Sequence, residues 1–256
     1  MPVHEIAQRG FDAEAVTYDR TRPSYPPAAV AWLVEHLGIG PGRRVVDLAA
    51  GTGKLTVLLE PSEARVVAVE PVEGMRRLLR ATLPTTPAVA ATAEDLPFAD
   101  GSVDALTVAQ AFHWFDVERA LPEIRRVLRP GGRLGLVWNA RDRGVDWVDR
   151  IWGVLDRVEK RAPWREHESW SEHDLPFDRW FGPVHRAEFR HEQPLPPEGV
   201  VGRFRGVSHV AVLPPDEQAA VLDEVRAILA THPDTRGRRE LRIPYRVDAY
   251  WCERLP

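Results

Sequence analysis

Residues 44–56 read Arg-Val-Val-Asp-Leu-Ala-Ala-Gly-Thr-Gly-Lys-Leu-Thr, and the fold follows from how they divide. Arg44–Leu48 is a short apolar run with an acid, Asp47, near its end, the pattern of a buried strand. Gly51 and Gly53 come next, and Lys54–Glu60 reads as a helix start. Glycines at a strand-to-helix turn let the backbone approach a ligand where a Cβ would stand in the way. A helix behind the turn offers unpaired N–H groups and a positive dipole end. The stretch predicts a cofactor turn after the first strand of an α/β sheet.

Three cofactor turns compete for this pattern. A phosphate loop requires Gly-x4-Gly-Lys-Ser/Thr, and Leu48 and Leu55 occupy two of its required positions. A dinucleotide turn requires Gly-x-Gly-x-x-Gly and an acid about 20 residues later. Gly51, Gly53 and Glu70 suit it, whereas Thr56 does not. The third pattern is Asp-x-Gly-x-Gly-x-Gly with an acid closing the second strand, met here by Asp47, Gly51, Gly53 and Glu70, with Ala49 in place of the first glycine.

Further segments follow in a fixed order. Arg65–Glu70 is a second β-branched run; Pro71 to Met75, Ala91–Phe98 and Asp100–Asp104 come after it. A fourth strand over Val103–Ala109 runs into Gln110-Ala-Phe-His-Trp-Phe-Asp116, and Leu128–Asn139 reads as a helix stop, a turn and a fifth strand. In order and spacing, residues 44–139 resemble the core of the class I S-adenosylmethionine (SAM) methyltransferases, with Asp47–Gly53 as their first motif. Phe11–Pro26 and Ala109–Phe115 resemble a type 11 subgroup that includes trans-aconitate-type, small-molecule enzymes.

That resemblance implies SAM as cofactor and S-adenosyl-L-homocysteine as product. It places the ribose on Glu70 and an adenine face on Pro71 and Met75. The adenine edge falls against Thr92, Ala93 and Glu94, and part of the methionine on Gln110. Tyr18, Arg22 and Tyr25 close the methionine end, with Arg22 pairing the carboxylate. The resemblance also makes Asp47, Ala49, Gly51 and Gly53, in the turn beneath, cofactor-binding residues. It also implies a Rossmann-like, seven-stranded, mostly parallel sheet with an antiparallel last strand and helices on both faces.

The remaining chain supplies boundaries. The 256 residues suit one α/β domain, with 1–28 as a cofactor-covering arm and 140–183 and 195–235 as lid insertions after strands five and six. A helix is expected at Ala28–Leu37, strand six at Val184–Arg190, a helix at Asp216–Ala230 and the last strand at Ile243–Cys252. No run of ~18 apolar residues predicts a membrane span, and Met1–Glu5 lacks the pattern of a secretory leader. One cysteine, Cys252, reads as a packed residue in a reducing, cytoplasmic protein. A net charge of −4 without a basic tail argues against a nucleic-acid partner. The expected partner is a small molecule; no metal is implied, and nothing in the residues sets the oligomeric state.

For the acceptor, Phe112, His113, Trp114, Trp138, Arg141, Trp147 and His209 are the candidate pocket residues. His113 is the candidate base near the expected methyl; the alternative is that it shapes the wall. Six of nine tryptophans lie between 138 and 180, which suits either an aromatic substrate or lid packing. Arg141, Arg143, Arg203 and Arg205 are the candidates for an acidic substrate. The expected reaction is in-line transfer to oxygen or nitrogen, less so carbon. A nicotinamide oxidoreductase and a non-catalytic SAM-fold binding protein are the alternative readings.

Overall fold

Short β-branched runs form the strands, and amphipathic helices cover them. The computed structural model describes residues 21–159 and 177–256, so Tyr18, Trp164 and Trp170 lie outside the described residues. In chain order, α1 (Pro27–Leu37) precedes β1 (Arg44–Leu48), and α2 (Thr56–Leu59) precedes β2 (Arg65–Val69). Next come α3 (Glu73–Thr82), β3 (Ala88–Val89), β4 (Val103–Ala109), α4 (Val117–Val127) and β5 (Leu128–Arg141). The C-terminal part adds α5 (Asp146–Glu159), β6 (His185–Leu195), α6 (Pro197–Arg205), α7 (Ser208–Ala211), α8 (Pro215–Thr231) and β7 (Leu241–Glu253).

The strands make a seven-stranded sheet in the order β3-β2-β1-β4-β5-β7-β6. The pairings of β1 with β2 and β4, of β2 with β3, and of β4 with β5 are parallel. β7 runs antiparallel to both β5 and β6. The expected Rossmann-like sheet is therefore the observed one. Successive strand residues point to opposite faces, and both faces are covered. On β4, Ala105 joins the cluster under α1 with Leu33, Leu37 and Val45, while Leu106 and Val108 join the cluster under α4 with Leu121 and Ile124. Truncating such a residue to alanine typically costs ~2–5 kcal/mol.

A third cluster lies outside this layered core. Trp147, Ile151, Trp152 and Leu155 of α5 pack with Phe204 of α6, Leu222, Val225 and Leu229 of α8, and Tyr245 of β7. Val221 and Ile228, expected to face inward on α8, are partly buried against the same cluster. Cys252 is buried on β7, and burial pushes its thiol pKa up. No helix among the described residues is long and apolar enough to cross a membrane.

Three differences from the expected elements have a physical cause. The helix expected over Lys54–Glu60 is one turn, Thr56–Leu59, continued by a 3-10 turn at Glu60–Ser62. Pro61 has no N–H to extend the helical ladder, so the dipole behind the glycine turn comes from very few peptides. The turn within Leu128–Asn139 is absorbed into β5 as an irregularity, where pairing jumps from Val103↔Leu128 to Ala105↔Arg133. β6 runs on to Leu195, past the expected end at Arg190. Pro194 is tolerated there because β6 is an edge strand, with a backbone side that donates to no neighbour.

Candidate functional site

The chain leaves β1 toward β2 and β3, then crosses back to β4 on the other side of β1. A crevice opens where the two connections diverge, beyond the carboxyl ends of the strands. Two non-glycine residues at this point adopt left-handed backbone: Ala49 after β1 at φ 53° and Gln110 after β4 at φ 61°. Each costs ~1–2 kcal/mol relative to ordinary backbone. Backbone hydrogen bonds hold both turns, from Ala50 N–H to Val69 O at 3.0 Å and from Gln110 N–H to Val137 O at 3.0 Å.

The glycines do different work. Gly51 has φ 58° and faces the cleft, where an added Cβ would meet Met75 Sδ at 3.6 Å. Gly53 has φ 88°, and its Cβ would press on Leu79 and Leu83 at 3.1 Å. Gly53 is thus needed for packing of the turn on α3 and does not line the cleft, contrary to its assignment as a ligand contact.

Glu70 lines the cleft and is 4% exposed. Its Oε2 accepts the Gly51 N–H at 2.9 Å and its Oε1 accepts the Val72 N–H at 2.8 Å. Burial raises its pKa, while those two amides and the Arg76 charge oppose the rise. Arg76 donates to the carbonyls of Glu70 at 2.6 Å and Pro71 at 2.7 Å and also pairs with Glu73, so the segment carrying Glu70 is held from below. Each carboxylate oxygen keeps a lone pair for a further donor.

Asp47 lies under the turn instead of on the cleft wall. It is fully buried; Thr56 Oγ1 donates to its Oδ2 at 2.6 Å and Thr107 Oγ1 to its Oδ1 at 2.9 Å. Burial raises its pKa to about 6 against the pull of these hydroxyls. The acid ties β1, β4 and the residue after the turn together, which corrects its assignment as a direct cofactor contact.

The cleft has a volume of about 740 Å³, within the ~300–1,000 Å³ usual for small-ligand sites. Beside Glu70, its wall includes Pro71, Met75, Thr92, Ala93 and Glu94. Glu94 Oε1 accepts the Asp116 N–H at 2.9 Å, which fixes this wall to the segment after β4. Arg22 and Tyr25 line the cleft near the other connection, together with Ala49 and Gln110. Arg22 Nη2 donates to Gly206 O at 3.3 Å, and Asn139 Nδ2 donates to Ser24 O at 3.2 Å, so residues 22–24 bridge α6 and β5.

His113, Trp114, Trp138 and Arg141 also line the cleft. Burial and the nearby Arg22 charge lower the His113 pKa to about 4, which leaves the imidazole neutral at pH 7. Trp114 is 41% exposed. Two expected pocket aromatics are elsewhere. Phe112 is fully buried against Phe115 and Phe177, and Trp147 packs inside the α5–α8 cluster. Both satisfy apolar burial by themselves, which an aromatic pattern cannot separate from a pocket wall. The side chain of His209 lies outside the described residues. Arg143 and Arg203 reach the cleft; Arg205 is exposed and does not.

Arg186 on β6 and Arg246, Asp248 and Tyr250 on β7, none of them among the sequence-based candidates, also line the cleft. The β7 residues alternate along one face of a strand, which was the available signal. Asp248 accepts from Arg186 at 2.8 Å and Arg246 at 3.0 Å.

A methyltransferase-domain family model matches residues 46–136. An uncharacterized methyltransferase of Mycobacterium tuberculosis is 43% identical over 92% of this chain and 91% of its own length. An uncharacterized methyltransferase-like protein of Schizosaccharomyces pombe is 32% identical over 98% of both chains. Among solved structures, one from Anaeromyxobacter dehalogenans, assigned as a type II methyltransferase, superposes with a TM-score of 0.60 at 29% identity, covering 91% of this chain and 96% of that one.

Proposed function

The chain belongs to the class I SAM-dependent methyltransferases, and on that premise we propose that SAM binds between the Ala49–Gly51 turn and Glu70, with a methyl passing in line to an oxygen or nitrogen of a small aromatic or carboxylate-bearing acceptor. The observation that carries this reading is Glu70: a buried carboxylate on the cleft wall, oriented by two backbone amides, with lone pairs left for ribose hydroxyls. The cleft volume and the Cβ-free approach at Gly51 suit a nucleoside.

When bound, SAM supplies an electrophilic methyl on a sulfonium that leaves readily. The chain's residues have the remaining tasks. Met75 and Pro71 form an apolar face for the adenine, and Thr92, Ala93 and Glu94 form its edge. Gln110, Tyr25 and Arg22 confine the methionine end, with Arg22 toward its carboxylate. Arg203 of α6 lines the acceptor side, and α5 and α8 pack behind that helix. Holding donor and acceptor aligned supplies up to ~7–11 kcal/mol of the barrier reduction.

His113 acts in this account as wall, not base. An imidazole with a pKa near 4 is a weak proton acceptor at neutral pH. A carboxylate acceptor requires no base. The test is calorimetric titration with SAM, S-adenosyl-L-homocysteine and NADPH. Saturable binding of the two sulfur compounds and none of NADPH is expected; the reverse pattern overturns the assignment.

A further inference from the structure

Among the described residues, one cation of the cleft is buried with two of its donors unused. Arg203, on α6, is 4% exposed and lines the cleft, yet its Nε and Nη1 have no hydrogen-bond partner among the described residues. A guanidinium keeps its charge at all accessible pH values. Burying it with donors unsatisfied is among the most unfavourable arrangements a fold can hold. Among the described residues, the other cations of the cleft leave no acid to spare. Arg186 and Arg246 already share Asp248, and Arg143 pairs with Asp149 at 2.6 Å and Asp156 at 2.8 Å. Arg141 lies over the Trp152 ring, 5.2 Å from its centroid. The other carboxylates of the cleft wall, Glu70 and Glu94, belong to the opposite half of the sheet, at β2 and beyond β3.

We propose that Arg203 anchors an anion subsite, and that the acceptor methylated in this cleft carries a carboxylate or phosphate group received there. The proposal rests on the methyltransferase reading above and adds the charge of the acceptor. An oxyanion supplies several acceptor oxygens to the unsatisfied donors and neutralises the excess positive charge where β6, β7 and α6 meet. The desolvated setting strengthens that pairing, and a neutral analogue would leave the same donors unpaired. In a chain of net charge −4, a cation-rich end of a cleft also draws anions selectively to that end.

The test uses the full chain saturated with S-adenosyl-L-homocysteine. Benzoate, phenyl phosphate and the neutral isostere benzamide are titrated by thermal shift and calorimetry. At least one anion is expected to bind ten-fold or more tightly than benzamide. Arg203→Met is expected to weaken that anion at least ten-fold while leaving S-adenosyl-L-homocysteine affinity within three-fold. Arg203→Lys, which keeps the stem and charge, gives an intermediate loss and carries the comparison if Arg203→Met does not fold. Preference for benzoate assigns a carboxylate, and preference for phenyl phosphate assigns a phosphate. The proposal is overturned if wild type binds both anions no better than benzamide, or if anion affinity stays within three-fold in the folded variants. Failure of wild type to bind S-adenosyl-L-homocysteine is a separate result and removes the cofactor reading instead.

Discussion

The two halves of the cleft are built on opposite principles. At the β1–β2 end the carboxylates are held internally, Glu70 by two amides and Asp47 by two hydroxyls, and Arg76 donates to two carbonyls and Glu73 with only its Nε left over among the described residues. That end is shaped by backbone hydrogen bonds. At the β6–β7 end the wall is a set of arginines, and two donors of Arg203 have no partner among the described residues. One half is preorganised by hydrogen bonds already made; the other retains binding capacity as unsatisfied charge. Preorganisation lowers the cost of ordering on binding, whereas unsatisfied charge selects for the group that completes it. A cofactor common to every turnover suits the first end and a selective acceptor suits the second.

Substitutions within the preorganised half should move stability in different directions. The largest expected loss is at Gly53. Valine there meets Leu79 and Leu83 while forced to φ 88°, so Gly53→Val is expected to lose ~2–5 kcal/mol in urea unfolding. A smaller change would show that the turn relaxes without its left-handed backbone. Asp47 gives a pH-dependent effect next in size. Its folded pKa, about 6, lies above the ordinary aspartate value of 3.8. Between those values the unfolded chain loses its proton first, so stability falls as pH rises and the penalty is complete above pH 6, up to ~3 kcal/mol. Asp47→Asn is expected to unfold at higher temperature than wild type at pH 8 without cofactor, with the gap closing toward pH 4; a gap that widens in acid contradicts the burial argument.

Ala49→Gly is expected to stabilise by ~0.5–1 kcal/mol, since relief at φ 53° exceeds the entropy glycine adds to the unfolded chain. A loss of stability would mean that the Ala49 methyl makes a contact worth more than the strain. The smallest effect is at His113, where the comparison is sharpened by a null slope. Its imidazole NMR shifts are expected to stay those of the neutral ring down to pH 5, because the folded pKa is held near 4. Titration near 6.5 would return the general-base role to it.

Much of the preorganised half was legible in the sequence. β1 and β4 have the boundaries read from their β-branched runs, and Glu70 falls where the spacing from Asp47 puts it. Local signals suffice there because the turn, its glycines and the closing acid lie within about 30 consecutive residues. The arginine half was only partly legible. Arg246, Asp248 and Tyr250 come to the cleft because β7 pairs with β5, more than 100 residues earlier in the chain. No local pattern announces such a pairing. Phe112 and Trp147 were misplaced because an aromatic ring meets the demands of a core and of a pocket wall equally. Asp47 was misplaced because hydroxyls distant in sequence, not its own neighbours alone, occupy its oxygens.

The central claim is that the Glu70 carboxylate is the polar anchor of the nucleoside end, and calorimetric titration of S-adenosyl-L-homocysteine into wild type and Glu70→Ala tests it most directly. The account expects the alanine variant to bind more weakly by ~1.5–3 kcal/mol, roughly 10- to 150-fold, with the fold retained. Equal affinity in the two proteins would contradict it.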